Sequence, residues 1–152
     1  LDQSLFSRDI LNEKNGPPPE INLFNEKNNG ETILTLIEKK FIKSAHDVSI
    51  GGIITALSKM CIKGKKGVIL KKGKYLINQF EYLFGEDQGR YIVEVNKDDL
   101  KSVTDILLEN SVHFDDLGVI GGNDLIIDDK SKVSIDDLIK SHTTWLTNFM
   151  SK

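Results

Sequence analysis

The chain has 152 residues, 39% hydrophobic and 28% charged, which is the size and make-up of one globular domain and not of a disordered tail or two full cores. Twenty Lys plus Arg against 23 Asp plus Glu leave a formal charge of −3, a poor basis for a general nucleic-acid binder. A single cysteine, Cys61, excludes an internal disulfide framework, and the longest apolar run, 50–57, is far too short to cross a bilayer.

The chain opens Leu-Asp-Gln-Ser, without methionine and without the basic-then-apolar order of a signal peptide, so it reads as a piece of a longer polypeptide. Residues 1–30 hold Gly16-Pro17-Pro18-Pro19, all three prolines of the chain, and the polar run 25–30. Prolines fix φ and lack a backbone donor, so 1–30 is expected to be an extended connector from a preceding domain. The compact domain is expected over 31–152. Ile33, Leu34, Leu36, Ile37 and Phe41 predict a helix from about Gly30 to Lys40, and a short strand over about 42–46 leads into Asp47-Val48-Ser49. A second helix is expected from about Gly51 to Cys61, with Ile53, Ile54, Leu57, Met60 and Cys61 inward.

Val68-Ile69-Leu70 predicts a strand after a glycine-punctuated basic turn. Tyr75 to Phe84 predicts a third helix stopped by Gly85, and Arg90 to Val95 a β-branched strand. Asp98 and Asp99 open a fourth helix, where carboxylates suit the positive end of the dipole. Three further strands are expected over 117–120, 125–127 and 132–134, the first two joined as a hairpin through Gly121-Gly122-Asn123-Asp124. Ser134 with Asp137 predicts a cap for a last helix carrying Leu138, Ile139, Trp145, Leu146 and Phe149. The sum is an α+β fold, with helices packed on a mixed, largely antiparallel sheet.

The stretch Ala45-His46-Asp47-Val48-Ser49-Ile50-Gly51-Gly52 carries the most chemical information. A strand ends, a carboxylate and a hydroxyl follow, and a glycine pair leads into a helix whose free N–H groups favour an anion. Glycines admit a phosphate close to the backbone, and Asp47 is placed to hold a magnesium ion beside it. A plainer alternative makes Ser49 a helix cap and the glycines a packing device. Neither a complete P-loop nor a G-x-G-x-x-G is present. The lysines at 63, 65, 66, 71, 72 and 74 lack interleaved aromatics and read as a solvated face. His113 and His142 read as surface residues, and Cys61 as a small buried hydrophobe.

His46-Asp47-Val48-Ser49 followed by Gly51-Gly52 resembles the His-Asp-x-Ser-Asp-Gly-Gly signature of phosphoribosylformylglycinamidine synthase, specifically of its final synthetase-type domain. Leu83-Phe84-Gly85-Glu86-Asp87-Gln88-Gly89-Arg90-Tyr91 resembles that family's Leu-Phe-Gly-Glu-Ser-Gln-Gly-Arg-Tyr run. Gly16-Pro17-Pro18-Pro19-Glu20 and Leu117-Gly118-Val119-Ile120-Gly121 follow the family's order, so the resemblance covers nearly the whole chain. Ile50 stands where an aspartate is usual, Asp87 where a serine is usual, and Asp2 where a glycine is more common.

The resemblance implies a fold like the C-terminal domain of aminoimidazole ribonucleotide (AIR) synthase, within a cytoplasmic ligase of de novo purine biosynthesis. That enzyme uses ATP and glutamine-derived ammonia to convert formylglycinamide ribonucleotide to its amidine. ATP activates the formamide oxygen, and ammonia then displaces phosphate. The resemblance further implies that this domain faces an auxiliary nucleotide site and supplies no catalytic base. It places ATP or ADP at His46, Asp47, Ser49, Gly51 and Gly52, and Mg2+ at Asp47. Glu86, Asp87 and Gln88 would make polar contacts with substrate at the mouth of the cleft or else form a solvated turn, and Arg90 would meet a substrate phosphate or else stand as a surface charge on an edge strand.

Implied partners are the preceding domains, a separate glutaminase subunit, a small accessory subunit and a small-molecule substrate, with no nucleic acid or membrane. The isolated chain is expected to be inactive. Aminoimidazole ribonucleotide synthetase, thiamine-monophosphate kinase, selenophosphate synthetase and a hydrogenase maturation factor have similar C-terminal domains, and a non-catalytic assembly module is a further alternative.

Overall fold

A computed structural model describes residues 1, 3–71, 78–128 and 131–151. The chain begins with a π-helical turn, Phe6–Ile10, and enters α1 at Leu23–Glu38. β1 (Ile42–Asp47) leads into α2 (Gly52–Gly64), followed by β2 (Val68–Leu70), α3 (Gln79–Phe84) and β3 (Tyr91–Val95). A 3-10 turn, Lys97–Asp99, precedes α4 (Leu100–Glu109). β4 (Gly118–Ile120), β5 (Asp124–Ile126), β6 (Lys132–Ser134) and α5 (Ile135–Met150) complete the chain.

The chain divides into two compact units, Leu1–Ala56 with Leu76–Asp115, and Leu57–Tyr75 with Asp116–Lys152. In the first, β1 and β3 form an antiparallel ladder running from Ile42↔Val95 to Asp47↔Tyr91. Its core joins Leu36 of α1, fully buried, to Val103, Ile106 and Leu107 of α4. Those three positions recur at i, i+3 and i+4, which puts them on one helix face. Ile33, Phe41, Ile42, Val95 and Val112 pack against the cluster.

The second unit holds a four-stranded sheet in the order β4-β2-β5-β6, with β2–β5 parallel and the other two pairings antiparallel. The hairpin expected between β4 and β5 does not form, because β2 lies between them. Gly67 explains the insertion. Its N–H donates to Gly122 O, its carbonyl accepts from Gly121 N–H, and a Cβ there would collide with Asp124 backbone. The Gly121-Gly122 turn is therefore spent on docking the start of β2.

Other boundaries also move. α1 starts eight residues before Glu31, because the Asn22 side chain caps it by accepting Asn25 N–H at 3.0 Å. The polar run 25–30 thus belongs to a helix, and within the first thirty residues 1, 3, 4 and 11–22 lack helix or strand among the described positions. The third-helix expectation at 75–77 lies outside the described residues, as do Asp2, Lys72 and Lys74. The Ser134 cap of α5 is present, its Oγ accepting Asp137 N–H at 3.0 Å. Of the apolar residues this helix carries, Trp145, Leu146 and Phe149 are all more than half exposed, and α5 buries only Ile135 at its start.

On α2, Ile53, Ala56, Leu57 and Cys61 are buried. Burial pushes the Cys61 thiol above its ordinary pKa by desolvation. Lys71 pairs with Asp116, and His113 and His142 are exposed. No helix among the described residues is long and apolar enough to cross a membrane.

Leu36→Ala should lower the unfolding free energy by about 2–5 kcal/mol, seen as an earlier urea midpoint. A midpoint equal to that of the parent would contradict the core assignment. Native Cys61 should be alkylated slowly at pH 8, since both its burial and its raised pKa suppress the thiolate. Labelling as fast as in urea would count against the buried placement.

Candidate functional site

The β1–β3 ladder sets the site. Asp47 ends β1 opposite Tyr91, and the next amide, Val48 N–H, donates to Arg90 O at 2.8 Å. Two segments well separated in sequence, His46–Gly52 and Gly85–Arg90, are thereby held side by side within one unit. The sequence singled out both, and the structure brings them together.

Past Asp47 the chain buries Val48, exposes Ser49 and Ile50, and turns through Gly51 (φ 83°) and Gly52 (φ 69°) into α2. Two successive left-handed residues are easy only for glycine. Space imposes the same choice. A Cβ on Gly52 would stand 2.5 Å from Leu83 O and 2.8 Å from Phe84 C, and one on Gly51 would strike Thr55. Ser49 is not the helix cap, since Gly51 precedes the first residue of α2. Instead, Ser49 O accepts Gly52 N–H at 2.9 Å and closes the turn, leaving the residue exposed.

The Gly51 amide donates to Glu86 Oε1 at 2.9 Å, and the same oxygen accepts Leu5 N–H at 2.9 Å. Both glycine amides are therefore engaged within the protein, so the turn is not an open anion cradle. Leu5 was not legible as a site residue, because its partner lies 81 positions away.

Arg90 also faces inward. Its Nη2 donates to Gly85 O and lies 3.3 Å from Asp87 Oδ2. Beneath this turn lies α1, whose Asn29 Nδ2 donates to Gly89 O at 2.9 Å. Glu26 of the same helix carries a buried Oε1 without a hydrogen-bond partner. Asp87 and Gln88 are exposed. A cavity of about 110 Å³ beside the turn is lined by Leu1, Gln3, Ser4, Pro19, Gly85, Glu86 and Asp87. Small-molecule sites run to about 300–1,000 Å³, so these residues alone enclose no nucleotide.

Asp47 is the exposed carboxylate at the strand end. Its side chain is 68% exposed, and His46 Nδ1 lies 3.5 Å from its Oδ1 and 2.6 Å from its backbone oxygen. Among the described residues no group of three or more His, Cys, Asp or Glu is placed to hold a metal. One exposed carboxylate still fits magnesium, which commonly takes one or two carboxylates and completes its shell with water and phosphate oxygens.

Residues 3–130 match the family described as AIR synthase related protein, C-terminal domain. The chain belongs to this family. The PurL subunit of phosphoribosylformylglycinamidine synthase from Pelagibacter ubique (strain HTCC1062) is 83% identical over 150 residues, 99% of this chain and 20% of that relative. The chain spans about a fifth of the length of the curated relatives it matches. T. maritima PurL complexed with FGAR is similar in fold, with a TM-score of 0.68 at 21% identity over 78% of this chain and 21% of that one. T. maritima PurL complexed with ATP gives 0.64 at 20% identity, over 74% and 21%. The α+β architecture with a mixed, largely antiparallel sheet is the fold of these AIR synthase related domains.

Gly52→Ala should destabilise this domain by about 1–3 kcal/mol, from left-handed strain together with the Leu83–Phe84 clash. Urea unfolding measures it, and an unchanged midpoint would show that the turn has room to relax.

Proposed function

We propose that this chain is the final synthetase-type domain of a phosphoribosylformylglycinamidine synthase. The whole enzyme would convert formylglycinamide ribonucleotide, with ATP and glutamine-derived ammonia, to formylglycinamidine ribonucleotide in purine biosynthesis. The 83% identity to the Pelagibacter PurL subunit over almost the whole chain carries this reading. The adjacency of the His46–Gly52 and Gly85–Arg90 segments supports it, since both motifs that suggest the family meet at one place.

In this reading Asp47 takes a magnesium ion and Ser49 a phosphate oxygen of ATP or ADP. His46 orients the end of β1 through the Asp47 carbonyl, and Gly51 and Gly52 give the turn its shape. When bound, magnesium would supply the positive charge that offsets the Asp47 carboxylate and the nucleotide phosphates. This chain's own residues hold and orient it and contribute no base. Asp87 and Gln88, exposed on the neighbouring turn, face the substrate cleft, while Glu86 and Arg90 build the turn that presents them.

The remaining domains of the enzyme complete both sites. Residues 1–30 then link the domain 31–152 to a preceding nucleotide-binding domain, and the isolated chain is inactive. The cavity beside Glu86 and Asp87, too small for a ribonucleotide substrate, supports a substrate cleft completed by other domains. So do the large apolar side chains left exposed at Leu23, Phe24, Trp145 and Phe149, which suit coverage by neighbouring domains. A glutaminase subunit and a small accessory subunit would supply and route the ammonia, in a cytoplasmic assembly. A non-catalytic assembly module is favoured by one observation, the filled space around Gly52, since packing alone accounts for that glycine.

Asp47→Asn separates the two readings. In the intact protein it should weaken magnesium-dependent nucleotide binding by at least about tenfold, measured by calorimetry, because a metal ligand is lost. Unchanged affinity would favour the module. Mixing this chain with its upstream polypeptide should restore ADP release that depends on formylglycinamide ribonucleotide and ammonia, with neither piece active alone. No release from two folded pieces would overturn the synthase reading.

A further inference from the structure

We propose that Glu86 is a positioning residue, whose carboxylate oxygen holds the Gly51 turn in the conformation that presents Asp47 and Ser49. What the turn presents them to rests on the nucleotide reading above. How the turn is held rests on geometry.

A turn built from two adjacent glycines has many backbone states open to it, and glycine itself selects none of them. Something outside the turn must choose. Glu86 Oε1 accepts Gly51 N–H and Leu5 N–H, both at 2.9 Å, so two backbone donors converge on one anionic oxygen. Hydrogen bonds to an ionised acceptor are roughly twice as strong as neutral ones.

Glu86 is itself anchored on both sides. Gly85 N–H donates to Glu81 O at 2.9 Å, and Arg90 grips Gly85 O and the Asp87 carboxylate. At the other donor, Leu5 precedes Phe6, whose ring stacks on Phe84 at 4.4 Å and on Phe80 at 5.6 Å. The N-terminal segment, the end of α3 and the glycine turn thus meet at one atom.

The charge has a consequence for ligand binding. An anion favours the amides before a helix start, and here the protein's own carboxylate takes the Gly51 amide. A phosphate is then drawn to this turn by a cation on Asp47 and not by the Gly51 N–H. Glu86 accordingly supports the site without touching what binds there.

Three variants in the intact protein test this. Glu86→Gln keeps the acceptor and the reach but loses the charge. Glu86→Asp keeps the charge and loses a methylene of reach. Glu86→Ala loses the acceptor outright. Amide hydrogen exchange at Gly51 and Leu5, measured without nucleotide, should accelerate by no more than about fivefold over the parent in Glu86→Gln, whose neutral oxygen still accepts both bonds but more weakly. It should accelerate by about tenfold or more in Glu86→Asp and Glu86→Ala. Magnesium–ADP affinity should follow the same order.

Unchanged Gly51 exchange in Glu86→Asp and Glu86→Ala would overturn the proposal. So would a Glu86→Gln variant that loses ADP affinity while its exchange stays normal, since the charge would then be acting on the ligand. If Glu86→Ala fails to fold, the Gln and Asp variants decide alone. Asp47→Asn, run in parallel, tests the nucleotide reading separately, because the exchange measurement needs no ligand.

Discussion

The antiparallel ladder between β1 and β3 does two jobs that no other pairing in the first unit could do together. At one end, Ile42 and Val95 deliver the strands onto the buried cluster of Leu36, Val103, Ile106 and Leu107. At the other end, Asp47 opposite Tyr91 leaves two turns projecting side by side, one with an exposed carboxylate and hydroxyl, the other clamped by Arg90. Side chains alternate faces along a strand, so a one-residue slip would send the core residues outward and turn Asp47 away from its neighbours. The packing at one end thus fixes the register on which the site depends at the other.

Around this ladder, most polar atoms at the site serve the protein itself. Glu86, Arg90, Asn29 and both glycine amides have internal partners, and the exposed Asp87 carboxylate pairs with Arg90, which leaves Asp47, Ser49 and Gln88 as the groups most open to the outside. That division is sensible for a surface completed by other domains. Rigid inner contacts fix the backbone, and a few exposed groups remain for a ligand held from several sides.

Features that depend on local chemistry were legible in the sequence. The stripe of α4, the Ser134 cap of α5, the buried Cys61 and the β-branched strands all follow from neighbours a few residues apart. The motif residues at 46–52 and 83–91 were legible too, though as sequence patterns and not as contacts. Features that depend on distant partners were not. The Glu86–Leu5 bond spans 81 positions, and nothing in either residue announces it. The missing β4–β5 hairpin has the same origin, because Gly121-Gly122 has the composition of a reversal and only Gly67 reveals its use. Asn22 does not stand out as a cap, because the polar residues after it resemble a loop. The exposure of Trp145, Leu146 and Phe149 on α5 is not legible either, since periodicity reports which face is apolar and not what covers it.

The central place of β2 also constrains the order in which the second unit is made. Its two sheet partners, β4 and β5, lie about fifty positions further along the chain. While synthesis proceeds, Val68 and Leu70 therefore emerge as an unpaired strand with both edges open. No local reversal can satisfy them, and closing so long a loop is slow compared with zipping a hairpin. Gly67 shortens the search once β4 and β5 arrive, because its amide and carbonyl lock onto the 121–122 turn at a single point from which both ladders can grow. Assembly of this unit thus waits on about the last quarter of the chain, and a nascent chain stopped before residue 118 carries an adhesive strand without either of its sheet partners.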